Sequence, residues 1–74
     1  MMQFALDNAR RLGIAGFIRR FPTGTLHMEA EGEEEKLNEF VKLFETRPDW
    51  LPENKIIIND KILGLGRFYI KKQG

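Results

Sequence analysis

No cysteine occurs anywhere in the sequence. That excludes disulfides and thiolate metal sites, so packing alone must stabilise the fold. There is a single histidine, His27, with no second histidine to complete a metal pair or a catalytic couple. Apolar runs stop at three or four residues, and no charged-then-apolar leader opens the chain. Neither a membrane span nor a secretory signal is therefore expected, and the default is a soluble, cytoplasmic protein. A surplus of charge is lacking too: twelve basic residues against eleven acidic ones leave +1. A nucleic-acid binder usually carries a strongly basic face, so no nucleic-acid partner is expected.

What is present suits one small globular domain over residues 1–74. Hydrophobic residues make up 42% and charged residues 31%, with six phenylalanines to fill an interior. Met1 to Leu12 has a helical period through Phe4/Ala5, Ala9 and Leu12, with Arg10 and Arg11 in the last turn and Gly13 as a stop. No capping residue precedes it, which leads us to expect that something upstream has been lost. Ile14 to Phe21 is strand-like, and Pro22-Thr23-Gly24 supplies turn chemistry. Thr25 to Glu31 alternates, with Leu26, Met28 and Ala30 inward and His27, Glu29 and Glu31 outward.

Gly32 then breaks the strand. Glu33-Glu34-Glu35 opens a second helix whose stripe is Leu37, Phe40, Val41 and Phe44. Arg47-Pro48 ends it. After a loop with Trp50, Lys55 to Asn59 (KIIIN) reads as a buried strand, Asn59-Asp60 as a tight turn and Lys61 to Leu65 as the start of a return. Arg67 to Lys72 is a last strand or the continuation of that return. Helix, strand, strand, helix, strand, strand predicts an α+β sandwich, with two helices on one face of an antiparallel sheet of about four strands.

Gly16-Phe17-Ile18-Arg19, Gly24, Leu26 and Gly32 follow the spacing of a known signature, and with them the segment Gly13–Gly32 resembles the acylphosphatase family. Ala9 to Gly16, Glu33 to Phe44 with Arg47-Pro48, and Phe68 to Lys71 extend the likeness over most of the chain. The resemblance implies a ferredoxin-like fold and hydrolysis of acyl phosphates without metal or other cofactor. It also implies two departures. Arg20 stands where the family has a catalytic asparagine, and counting back from Ala9 puts Met2 at the position of the phosphate-binding arginine. The strand and phosphate loop that precede the family's first helix are missing.

That missing strand would be central in the sheet. The chain then reads as an N-terminally truncated variant, or as a circular permutant whose last strand fills the middle. In the permuted reading Gly64-Leu65-Gly66-Arg67, with Arg19, forms a phosphate-binding loop; the plain alternative is a bulge or tight corner between strands. Arg20 is either a phosphate-binding fork or a solvated strand-end arginine. Three functions follow: a family member with weak or no hydrolysis, an active acylphosphatase with a rebuilt site, or a non-enzymatic assembly module whose open sheet edge pairs with a second copy. The small-molecule partner would be phosphate or an acyl phosphate.

Overall fold

A computed structural model describes residues 1–59 and 66–72. The elements are α1 (Met2–Leu12), β1 (Ala15–Arg20), β2 (Leu26–Glu31), α2 (Glu34–Glu45), β3 (Lys55–Asn59) and β4 (Phe68–Ile70). They form one four-stranded sheet in the order β3-β2-β1-β4. Both helices pack on the same face, as the buried set Ala5, Ala9, Leu12, Ile18, Met28, Leu37, Phe40, Phe44 and Phe68 records. This is the expected two-layer α+β, ferredoxin-like sandwich. Asp60, the Lys61–Leu65 return and the Gly64-Leu65 half of the proposed loop lie outside the described residues.

Local chemistry explains each boundary. Gly13 ends α1 in the left-handed region (φ 70°), where its N–H reaches back to Ala9 and Arg10. The hairpin turns at Phe21–Thr25, closed by the Phe21 N–H to the Thr25 carbonyl at 2.9 Å. Gly16 is required by its surroundings. Its φ is 134°, and a Cβ there would lie 2.0 Å from the Glu29 carbonyl oxygen across the β1–β2 ladder. The core is an aromatic chain, Trp50–Phe44–Phe40–Phe68, with centroid separations of 5.5, 5.0 and 5.8 Å, and Phe4 edge-on to Phe44 at 5.3 Å. Each fully buried phenylalanine contributes about 1.5–3 kcal/mol of burial.

Four expectations are corrected. Only β1 and β2 are antiparallel; β4 runs parallel to β1 and β3 parallel to β2, so the sheet is mixed. The last strand does not fill the centre. It lies on the outer edge beside β1, and the central place is closed because β3, returning from α2, docks directly on β2. That placement does not fit the permuted arrangement. Finally, KIIIN is an edge strand, with Ile57 and Ile58 each 48% exposed. Glu31, expected to face out, is buried at 3% because Ala15 and Asn59 flank it on both sides.

Two substitutions check this packing by urea denaturation. Gly16→Ala should lose more than about 3 kcal/mol, since neither strand backbone can give way. Gly24→Ala, at φ 90° with open space around it, should lose only about 1–2 kcal/mol of backbone strain. Equal losses would refute the close-approach argument.

Candidate functional site

Gly13 turns the chain so that β1 runs back along α1, and Arg20, its last residue, arrives beside Met2 at the helix start. β4 runs parallel to β1, so the residues after it leave at this same end. The Lys71 N–H donates to the Ile18 carbonyl at 2.8 Å. Together Met2, Arg20, Phe21, Pro22, Gly24, Lys71 and Lys72 line a cavity of about 420 Å³.

Among the described residues no acidic side chain lines it, and three of the lining residues are cationic. The first turn of α1 contains no acidic residue and its N-cap Met1 makes no side-chain cap bond, so the positive end of the helix faces this side as well. Lys71 holds its ammonium 4.8 Å from the Phe17 ring centre, on the face opposite the helices. Met2, Phe21 and Pro22 give the cavity an apolar side. A cationic rim over an apolar floor suits a small ligand with a phosphoryl or carboxylate head and an apolar group attached.

The structure thus brings together Met2 and Arg20, the two positions where the resemblance implies catalytic side chains. It does not bring Gly66, Arg67 or Arg19 to them. The Arg67 carbonyl accepts from the Gly16 N–H at 3.1 Å, which puts Gly66 and Arg67 at the start of β1. Four residues of strand, about 13 Å, separate them from Arg20. Arg19 lies on the open face, its guanidinium 4.7 Å from the Phe21 ring centre and its Nε enclosed without a hydrogen-bond partner among the described residues. Lys71 and Lys72 escaped the sequence reading because parallel pairing leaves no local pattern. A basic pair following a short strand was their only signal.

The other residues singled out belong to packing. His27 is half-buried on the open face, 6.1 Å from Phe21 by ring centres. Trp50 leans on Phe44, and Tyr69 on Phe17 at 5.9 Å. Arg47 is bonded to Asp49 at 2.9 Å. That hydrogen bond raises the arginine's pKa and holds the Asp49 carboxyl below its ordinary value. Among the described residues no group of three or more metal-ligating side chains gathers. None of their helices is long and apolar enough to cross a membrane.

A two-layer α+β domain with a cationic cavity where a strand end meets a helix start is the class the geometry defines. The acylphosphatase family profile matches residues 2–56, and the chain belongs to that family. It is 28% identical over 57 residues to an acylphosphatase of Bifidobacterium longum, covering 77% of this chain and 59% of that protein. It is 45% identical over 38 residues to an acylphosphatase of an Anaeromyxobacter species, covering 51% of this chain and 41% of that one. The chain therefore spans about half the length of these relatives. No solved structure matches it at a significant level.

Titration with inorganic phosphate, followed by amide chemical shifts, should move Arg20 to Gly24 and Lys71-Lys72 and leave Arg67 in place. Arg20→Ala should weaken that binding about 10- to 100-fold, the range for a charge-assisted hydrogen bond. Shifts centred on Arg67 instead would relocate the anion to the far end of β1.

Proposed function

We propose that this chain is a single acylphosphatase-like domain that binds phosphate or acyl phosphates at the Arg20 cavity and hydrolyses them weakly or not at all. The observation that carries the reading is that Met2 and Arg20 line one cavity. Hydrolysis of an acyl phosphate requires a water aimed at phosphorus and a charge-complementary cradle for the phosphoryl oxygens. An asparagine holds such a water by accepting from it through its amide oxygen. A guanidinium has five donors and no acceptor, so Arg20 can grip the phosphoryl group but cannot take a proton-bearing water into line. At the other position, the thioether of Met2 brings no charge to the oxygens. Arg20 and Lys72 take over binding, while the acyl group lies against Phe21 and Pro22.

The same reading places the protein in the cytoplasm, in keeping with a cysteine-free chain. Any activity belonging to a longer relative is carried here only as far as these residues allow.

Benzoyl phosphate provides the test, because its apolar ring matches the cavity floor. The chain should bind it but raise its hydrolysis by less than about 100-fold, short of what a single well-placed group supplies in a working site. Arg20→Asn combined with Met2→Arg should increase turnover. Efficient turnover by the unaltered chain that disappears on Arg20→Ala would overturn the weak-hydrolysis reading and show that the site had been rebuilt as an enzyme.

A further inference from the structure

The outer edge of β3 is built for pairing. Among the described residues the strand ends the sheet, and its centre, Ile56-Ile57-Ile58, has no charge, proline or bulge of the kind that usually blunts an edge. Ile57 on the open face and Ile58 on the helix face are each 48% exposed.

The direction of the backbone groups follows from the ladder. The Asn59 carbonyl accepts from Gly32 N–H at 3.4 Å and so points toward β2. In a parallel strand alternate residues share that direction, so Ile57 and Lys55 also turn their N–H and C=O toward β2. Ile56 and Ile58 turn theirs to the free edge, where no described residue lies.

A single antiparallel register uses all of these outward groups. With a two-fold axis at Ile57, Ile56 of one copy stands opposite Ile58 of the other as a hydrogen-bonded pair, twice over. Ile57 faces its own counterpart as the close, non-hydrogen-bonded pair between them. Lys55 falls opposite Asn59, and the two Lys55 ammonium groups sit at opposite ends, about 13 Å apart along the strands, beyond the physiological screening length.

The helix face offers matching space. Between α2 and β3 lie cavities of about 220 and 300 Å³, the first walled by Val41, Trp50, Ile56 and Ile58 with Glu45 and Asn54 at its polar side, the second by Leu37 and Ile58 with Glu34 and Asn38. In the antiparallel register, Ile56 and Ile58 of a second copy would project along this seam.

We propose that β3 pairs with β3 of a second copy of this chain, antiparallel and centred on Ile57, joining two four-stranded sheets into one of eight. The contact is isologous, which closes the assembly at two copies. At the far edge, β4 is three residues long and runs straight into Lys71-Lys72, which resists further strand addition.

Sedimentation across a concentration series should give twice the 8.7 kDa chain mass. Ile57→Lys should yield a folded monomer by circular dichroism and mass, whereas Tyr69→Lys at the other edge should remain dimeric. Because the chain lacks cysteine, Ile57→Cys reports register directly. Under mild oxidation it should form a disulfide dimer at least about 10-fold faster than Tyr69→Cys, since the close pair lies within disulfide reach. This second readout holds even if Ile57→Lys fails to fold. A chain that stays monomeric, or cysteines that cross-link equally at both edges, would overturn the proposal.

Discussion

The contact between Phe40 and Phe68 holds more of this molecule in place than its size suggests. β4 has only three residues, too few for backbone pairing alone to fix it, since short strands need a packed face. Phe68 is 1% exposed, and its ring meets Phe40 edge-on at 5.8 Å, in the same aromatic chain that locks Phe44 and Trp50. Burying that one side chain seats β4 beside β1. In turn it delivers Lys71 and Lys72 to the cavity that Met2 and Arg20 already line. Core and candidate site are therefore linked mechanically.

At the opposite edge a different constraint rules. A strand, a helix and a returning strand form a parallel unit, and with nothing between them β2 and β3 meet directly. The union is extended by Asn54, whose side-chain oxygen accepts from the Leu26 N–H at 2.9 Å just before the ladder begins. α2 covers this pair incompletely. Val41, part of the helix's apolar stripe, is only half-buried and looks into the seam beside Ile56 and Ile58. The exposed isoleucines and the seam arise together from one cause, a sheet whose middle is closed by β3 itself.

Two side chains of contrasting chemistry line the cavity. Arg20 supplies donors and charge without an acceptor, and Met2 supplies bulk without charge. The fold of the acylphosphatase family is retained around them. Fold and reaction are separable, and the reaction depends on individual atoms placed on the scaffold.

Much of the architecture was legible from periodicity. The stripe through Leu37, Phe40 and Phe44, the stop at Gly13, the hairpin around Pro22-Thr23-Gly24 and the alternation of Leu26, Met28 and Ala30 are local patterns, and local geometry realises each one. Met2 and Arg20, each placed by its spacing within a known signature, line one cavity. Tertiary structure alone decided the rest: the edge position of KIIIN, the burial of Glu31, the outer seat of β4 and the arrival of Lys71-Lys72 at the cavity. A run of three isoleucines reads the same at the centre of a sheet as at its rim, because periodicity reports which way side chains alternate. Which strands become neighbours is settled by long-range burial, and no local pattern records it.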